Sequence, residues 1–361
     1  MNLTEFRKLV SPRAISVNWT EAQNNVTPYV GAQLFPAKKK AGLDLSWIKG
    51  AKGLPVTLKP SVFDAKATFR DRIGVEKLET EMPFFREGFK IKEKDRQEIL
   101  RIQDSNDPYA QSIIGTVFDD AQNLIAGANV VPERQIMQLL FPANGNVGIT
   151  IKANGVDYTY DYDPAVGGTR PWKSTNYFAL TGNAAWDQTA TADPFNDIDT
   201  AKTAISNKGG KAAYLVMNSV TFNLLGKITA VKNRFLTLNG MAVGYLRNPD
   251  VANVVKDTEE LQGIIVYDNQ YVDESGTTRK FVPDDYVAVI PDGALGNTWY
   301  GTTPEEADLM GSDQAEVAIV NTGVAITQIL DAHPVNLNTF ASEIVLPSYE
   351  RMNEVALIKV K

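Results

Sequence analysis

The chain has 361 residues, a formal net charge of −7 and no cysteine. The acidic balance argues against a nucleic-acid-binding protein held by phosphate contacts, and the lack of cysteine excludes disulfides, thiolate metal sites and cysteine nucleophiles. No stretch of about twenty apolar residues occurs, so we expect no membrane-spanning helix. The opening MNLTEFRKLV has no continuous apolar run, so we expect no signal peptide and synthesis in the cytosol.

Residues 1–40 predict an extended arm after a short helix that starts at Thr4. Pro28 and Pro36 interrupt any helix across the stretch VTPYVGAQLFPAKKK, because the residue before a proline avoids the helical region. The basic run Lys38–Lys40 that closes this stretch has two interpretations. It is either a solvated turn or a contact with an acidic surface of a neighbouring chain.

Residues 41–91 predict a long two-stranded ribbon that is solvated on one face. Leu43, Leu45 and Trp47 alternate as in a strand, and the runs SVFDAKATF and VEKLETEMPFFREGFKI mix charged residues with apolar ones. An isolated ribbon is marginal in water, so it needs a surface on its own domain or on another subunit. The candidate intersubunit residues of the ribbon are charged: Lys66, Arg70, Arg72, Glu79 and Glu81.

Residues 107–140 predict a long amphipathic helix, because apolar side chains recur at spacings of three and four. Asp107 and Pro108 are suited to its first positions. Pro132 predicts a kink or a restart, since it lacks the N–H of a helical hydrogen bond. At full length the helix would span roughly 50 Å. It is either a core helix of an α/β enzyme or a spine that carries extended segments.

A hairpin follows, in which Asn154-Gly155 supplies the turn between two alternating runs. From Asp193 the chain predicts an α/β unit, because buried strands alternate with capped helices. The predicted elements are a helix in DPFNDIDTAKTAISNKGG, a strand in AAYLVMN, a helix capped by Ser219, a buried strand in GIIVYD, a hairpin turning near Ser275-Gly276, a strand in YVAVIP, and two strands separated by Pro347.

The sequence offers little chemistry. His333 is the only histidine and precedes Pro334, which is typical of a packed or surface residue. Asp157, Asp161 and Asp163 lack the remaining ligands of a calcium loop, and no nucleotide-binding motif occurs. We therefore expect no metal, no cofactor and no catalysis. A hydrolase that works with two carboxylates is the enzyme alternative.

The order of arm, charged ribbon, long helix, hairpin and α/β unit resembles the major capsid proteins of tailed phages. The specific resemblance is to the phage lambda major head protein family. Its motifs lie in DPFNDIDTA, NSVTFNLLGKITAVKNRF, NQYVDESGTTRKFVPDDYVAVIP and GNTWYGTTPEEAD. Within the third stretch they are Gln270-Tyr271-Val272 and Phe281-Val282-Pro283-Asp284.

The resemblance implies an α+β Hong Kong 97-type capsid fold. It implies an N-terminal arm that wraps a neighbour, an E-loop that overlies the adjacent subunit, a peripheral domain that holds the spine helix and the hairpin, and an axial domain. The implied boundaries are 1–40 for the arm, 41–91 for the E-loop, 92–192 for the peripheral domain, 193–330 for the axial domain and 331–361 for strands returning to the peripheral domain.

The resemblance also implies the function. The chain would be a structural head protein that self-assembles into the hexamers and pentamers of an icosahedral shell enclosing double-stranded DNA. It would be made in the host bacterial cytoplasm and end in the virion, with scaffold, portal and decoration proteins as further partners and only weak contact with DNA. The alternatives are an encapsulin-like bacterial shell and the carboxylate-dependent hydrolase. A tail-tube protein is disfavoured, because it would be all-β with shorter helices.

Overall fold

The structure, a computed structural model, describes residues 10–23, 28–49, 76–91, 108–153, 156–239, 246–312, 315–331, 333 and 336–361. The chain divides into two compact units. The first contains Met1–Leu45, Glu79–Gln135 and Asn297–Ser348, as far as these are described, and the second contains Ser46–Leu78, Ile136–Gly296 and Tyr349–Lys361. These units differ from the domains implied by the resemblance, since 297–330 belong to the first unit, whereas 136–192 and 349–361 belong to the second.

Helices and strands are numbered here along the chain. The helices are α1 (Pro12–Gln23), α2 (Val30–Leu34), α3 (Pro108–Leu140), α4 (Pro171–Asn176), α5 (Pro194–Ser206), α6 (Ser219–Leu225), α7 (Thr229–Asn239) and α8 (Asn248–Glu259). The strands of the first half are β1 (Ala37–Lys39), β2 (Asp44–Lys49), β3 (Glu76–Glu81), β4 (Phe84–Ile91), β5 (Gly148–Ala153), β6 (Val156–Asp161) and β7 (Tyr177–Ala179). The remaining strands are β8 (Ala212–Met217), β9 (Gly263–Val266), β10 (Gln270–Val272), β11 (Thr278–Lys280), β12 (Tyr286–Pro291), β13 (Asn297–Tyr300), β14 (Glu316–Val320), β15 (Val324–Leu330), β16 (Leu337–Ser348) and β17 (Ala356–Lys359).

The first unit is built on a six-stranded sheet in the order β1-β13-β16-β15-β14, with β4 paired to β16. Strand β1 runs parallel to β13, and the other pairs are antiparallel. Helix α1 and the spine helix α3 cover one face. Ile15 and Trp19, four residues apart on α1, pack in one cluster with Ile125 of α3 and Ile326 of β15.

The predicted spine is confirmed as one helix, α3, of 33 residues. It continues through Pro132, which is buried, so the predicted restart is wrong. The kink stays a prediction, and Asp107 lies outside the described residues. One turn of the spine is tied to α2, because the N–H of Gly31 donates to Glu133 Oε1 at 3.1 Å.

The second unit is built on a five-stranded sheet in the order β7-β17-β12-β8-β9. Strands β7 and β9 run parallel to their neighbours, and β12 is antiparallel to both β17 and β8. The core beside this sheet takes its side chains from α5, α6, α7 and α8, with Ile198, Leu215 and Val289 fully buried. The α/β unit predicted from Asp193 onward is confirmed in its strands β8 and β12 and its helix α5.

Helix caps follow the local sequence, with one correction. Asp193 accepts from the N–H of Asn196 at 3.3 Å and begins α5. The cap of α6 is Asn218, whose side chain accepts from the N–H of Thr221 at 2.9 Å; the prediction of Ser219 is wrong by one residue. Asparagine is an equally good cap, so the sequence did not separate the two neighbours.

The segment that joins the β5–β6 hairpin to α5 is anchored by Asp163 and Trp172. Asp163 accepts from the N–H groups of Trp172 and Lys173, at 3.0 and 3.1 Å, and so caps α4. The indole N–H of the fully buried Trp172 donates to the carbonyl oxygens of Met352 and Val355, at 2.9 and 3.0 Å. Trp172 and Trp186 are both buried and anchor this segment by packing.

Three predictions of local structure are wrong. The arm is not extended over 12–23 or 30–34, which form α1 and α2. Pro28 and Pro36 lie outside both helices, and α1 is stabilised by burial on the sheet. Strand β9 lies at a sheet edge and is only partly buried. Pro347 lies inside β16. Thr298 of β13 lies opposite Pro347, and its N–H donates to the carbonyl oxygen of Pro36 at 3.0 Å. The pairing of β13 with β16 therefore needs no hydrogen bond from the Pro347 nitrogen.

The ribbon prediction is confirmed in part. Strands β2 and β3 form a separate two-stranded sheet. Strand β4, which was predicted as part of the same ribbon, does not join this sheet. It pairs instead with β16, from Phe84 opposite Ile344 to Ile91 opposite Leu337. The hairpins β5–β6 and β10–β11 form as predicted, although Asn154-Gly155 lies outside the described residues.

Candidate assembly surfaces

The near end of the ribbon packs one face on its own chain. Leu45 and Trp47 are buried, whereas Asp44 and Ser46, which alternate with them, are exposed. The rings of Trp47 and Tyr162 have centroids 5.3 Å apart. This alternation is the predicted one-faced strand, with part of its burial supplied within the chain.

The candidate contact residues of the ribbon stay a prediction. Lys66, Arg70 and Arg72 lie outside the described residues, and the same holds for the side chain of Glu79. Glu81 is exposed at the end of β3. Within the described part of the chain, none of the five is therefore seen in contact with another.

The lysine run forms an edge strand instead of a turn. Lys39 forms an ion pair with Glu306, Lys40 Nζ donates to the carbonyl oxygen of Asp44 at 2.7 Å, and Lys38 Nζ lies 5.5 Å from the centroid of the Trp299 ring. These contacts lie within its own chain, so contact with a neighbouring chain, the second interpretation, is not needed to explain the run.

A pocket of about 420 Å³ opens in the first unit beside a π-helical turn, Glu305–Leu309. Its apolar walls come from Pro304, Leu309, Ile329 and Phe340, and its polar groups come from Arg86, Glu305, Asp308 and Thr327. Four separate stretches of chain meet here, which is why the sequence did not indicate the pocket. The only local signal was the run of carboxylates in TTPEEAD.

Charge in this pocket is only partly balanced. Arg86 forms an ion pair with Glu305, and its guanidinium lies 4.8 Å from the centroid of the Phe84 ring. Glu305 is 5% exposed, yet its Oε2 has no hydrogen-bond partner among the described residues, and the same is true of the buried hydroxyl of Thr327. Such orphan groups cost free energy unless another group meets them.

A second unbalanced carboxylate, Glu343, lies in the interior of β16. The residue is 1% exposed, and neither carboxylate oxygen has a hydrogen-bond partner in the described part of the chain. Burial raises the pKa of Glu343 well above its usual value. Burial, with the negative charge of Glu343 as a smaller cause, also raises the pKa of Tyr300 on β13.

In the second unit the β10–β11 hairpin is held by one carboxylate. Asp273 accepts from the hydroxyl of Ser275 at 2.6 Å, from the N–H of Thr277 at 2.9 Å and from Arg279 Nε at 2.9 Å. The bonds from Ser275 and Arg279 are the main reason that the pKa of Asp273 lies below its usual value. The ordered turn presents Val272 with 64% of its surface exposed.

The aspartates considered for calcium have other partners. Asp157 pairs with Lys152 at 2.7 Å, Asp161 pairs with Arg170 at 2.7 Å, and Asp163 caps α4. Within the described ranges no group of three or more histidine, cysteine, aspartate or glutamate side chains is placed to hold a metal ion. His333 is exposed. None of the helices described is long and apolar enough to span a membrane.

Comparison with solved structures places this architecture among phage capsid folds. The protein assigned as the capsid protein of a prophage of Escherichia coli CFT073 matches with a TM-score of 0.59 and 13% identity, over 97% of this chain and 99% of that one. A phage-related protein of Bordetella bronchiseptica RB50 matches with a TM-score of 0.55 and 14% identity, over 97% of each chain. The capsid asymmetric unit of cyanophage A-1(L) matches with a TM-score of 0.51 and 13% identity, over 92% of each. The class is therefore the α+β Hong Kong 97-type capsid fold, as predicted.

The sequence profile of the family described as phage major capsid protein E matches residues 11–360. The chain belongs to that family, which makes it a tailed-phage major capsid protein, a structural protein that forms the phage shell and is part of the virion. No curated protein sequence matches the chain. The predicted fold class and the predicted role as a structural protein of a phage shell are thereby confirmed, and the family points to a non-catalytic role.

Proposed function

We propose that copies of this chain form the hexamers and pentamers of an icosahedral shell that encloses double-stranded DNA. The observation that carries the proposal is the family match over residues 11–360. The net charge of −7 suits a shell whose contents must leave it, since tight phosphate binding would oppose release. The subunits would be made in the host cytoplasm, with scaffold and portal proteins, and in some phages a decoration protein, as partners.

We assign the two compact units different places in that shell. The first unit, with its six-stranded sheet under the spine, would be the peripheral domain. The second unit, with the five-stranded sheet and helices α5–α8, would be the axial domain around the hexamer and pentamer axes. Electron microscopy of purified particles tests the shell. Closed particles containing DNA support the proposal, whereas shells containing only a protein cargo would favour the encapsulin-like alternative.

The ribbon is proposed as the clasp between neighbouring subunits. Reversing two of its charges with Arg70→Glu and Arg72→Glu should leave the thermal midpoint of unassembled protein nearly unchanged, because exposed ion pairs contribute only about 0–1 kcal/mol each. Assembly should be lost or become sensitive to salt, because the same contact recurs at every subunit. Circular dichroism melting and particle counts at low and high salt measure the two effects.

Lys211→Glu with Lys227→Glu is the matched control, since both lysines are exposed in the second unit and the charge change is equal. Normal assembly of the arginine double variant at every salt concentration would contradict the clasp. A much lower thermal midpoint of its unassembled form would show that the ribbon packs mainly on its own chain.

Pro132 is proposed to let the spine bend during shell maturation. Its ring nitrogen has no hydrogen to donate to the carbonyl of Ala128, the residue four positions earlier in α3. Pro132→Ala should therefore give a straighter, more stable helix and alter shell expansion. Cryo-electron microscopy of particles before and after expansion measures both. Identical spines and identical expansion in the variant would contradict this role.

A further inference from the structure

The pocket lined by Arg86, Glu305, Asp308 and Thr327 contains buried polar groups that no described residue of the chain meets. We propose that it binds the cationic side chain, lysine or arginine, of a second copy of this chain. The inference rests on the proposed function, in that it takes neighbouring copies to be present in a shell. It adds a specific contact site that lies apart from the ribbon.

The charge balance favours a cation as the occupant. Arg86 is neutralised by Glu305, while Asp308 is exposed and has no ion-pair partner among the described residues. The pocket therefore carries one negative charge in excess. Glu305 Oε2 and the Thr327 hydroxyl are both buried and have no hydrogen-bond partner among the described residues, so each can accept from the N–H groups of an ammonium or a guanidinium that enters the pocket.

The shape of the pocket favours a long side chain that carries its charge at the end. Leu309, Ile329 and Phe340 form apolar walls around the polar groups. Lysine and arginine bury their aliphatic stems against such walls while the charged group reaches polar partners. Its volume of about 420 Å³ is far more than a few waters fill, at roughly 30 Å³ each.

A second copy is the proposed partner because the neighbours of a subunit in a capsid shell are identical subunits. The chain carries 36 lysine and arginine residues, which makes it a sufficient source of cations. A contact of this kind is heterologous, since the pocket of one subunit receives a different surface of the next.

Thr327→Val distinguishes this role from a purely structural one, because the two roles predict changes of opposite sign in the critical concentration for assembly. Valine keeps the shape of threonine and removes a buried hydroxyl that has no partner among the described residues. The thermal midpoint of unassembled subunits should therefore rise. The critical concentration for assembly should also rise, by roughly threefold to tenfold, because the occupant loses one acceptor. An unchanged or lower critical concentration would overturn the proposal.

Asp308→Asn removes the excess negative charge without a change of shape. Because Asp308 is exposed, the critical concentration should increase by roughly twofold to fivefold. Glu316→Gln, which neutralises an exposed carboxylate of the same unit outside the pocket, is the control and should have no such effect. Equal behaviour of the two variants would count against the pocket.

Photo-crosslinking identifies the occupant directly. Particles are assembled from equal amounts of unlabelled and ¹⁵N-labelled subunits that carry p-benzoylphenylalanine in place of Leu309. Mass spectrometry should find crosslinks that join an unlabelled peptide to a labelled one, within two residues of a lysine or arginine. Crosslinks only within one chain, crosslinks to acidic segments, or none in intact particles would each overturn the proposal. If the wild-type chain itself forms no particles, it is the shell function that fails.

Discussion

Replacing Glu343 with leucine should raise the thermal midpoint of the unassembled protein, and the gain should be larger at pH 8 than at pH 5. Leucine has a similar volume and removes a carboxylate that is buried without a partner in the described part of the chain. Leaving such a group unpaired costs about 1–3 kcal/mol, and more when it is charged. Circular dichroism melting at the two pH values measures the difference.

The pH dependence follows from the direction in which burial moves the pKa. The pKa of Glu343 is raised in the folded state, so the folded state binds the proton more tightly than the unfolded chain does. Its contribution to stability is fully present below the unfolded pKa, about 4.3, and is lost as pH rises towards the folded pKa. Tyr300, the titratable neighbour that feels the charge of Glu343, stays neutral throughout this range because its own pKa is raised.

Glu343→Gln is the matched variant, since it removes the charge and keeps a buried polar group. It should flatten the pH dependence as leucine does, with a smaller gain in midpoint. If both variants are less stable than the wild type at pH 8, the carboxylate is held by a stabilising interaction in solution and the argument fails.

Trp172→Ala should lower the free energy of unfolding by about 3–5 kcal/mol, which is the usual cost of removing a fully buried aromatic side chain. The indole N–H also donates to the carbonyl oxygens of Met352 and Val355, and these hydrogen bonds fix the segment before β17. Equilibrium unfolding in urea, monitored by tryptophan fluorescence and circular dichroism, measures the loss. Particle yield should fall with it, since fewer subunits are folded at any moment.

Trp172→Phe divides that loss into two parts. Phenylalanine keeps most of the apolar contact but has no donor, so it should cost roughly 1–2 kcal/mol. Val355 keeps a partner in this variant, because Asn176 Nδ2 donates to the same carbonyl at 2.7 Å. Equal losses for the two variants would mean that burial of the ring contributes nothing, which would contradict the cavity argument.

Elements with strong local signals were predictable. Asp193-Pro194 marks the start of α5 by a cap and by a proline that needs no N–H, and the run Tyr286–Pro291 is apolar enough to indicate a buried strand. The spine was predictable for the same reason, since a periodic pattern over 33 residues leaves few alternatives.

Other elements depend on residues far apart in the chain. Helix α1 forms although its own signals are weak, because Ile15 and Trp19 are buried with Val324, Ile326 and Ala341, some three hundred positions later. The β14–β15 hairpin had a usable signal that was missed: Asn321 adopts a φ of 54° at its turn, within an alternating apolar run. The pocket lined by Arg86, Glu305, Asp308 and Thr327 had only the carboxylates of TTPEEAD as a local signal, because no single segment contains all its groups.

The place of β17 in the second sheet has a consequence for the timing of synthesis. Ala356–Lys359 lies between β7 and β12, so both of those strands need it to complete their hydrogen bonding on that side. It is also translated after every other strand and helix described. A nascent chain that still lacks it exposes two open strand edges, which invite wrong pairing with other nascent chains. The five-stranded sheet of the second unit is complete only after this late strand leaves the ribosome. We therefore expect a subunit to associate with other subunits only after β17 has been translated.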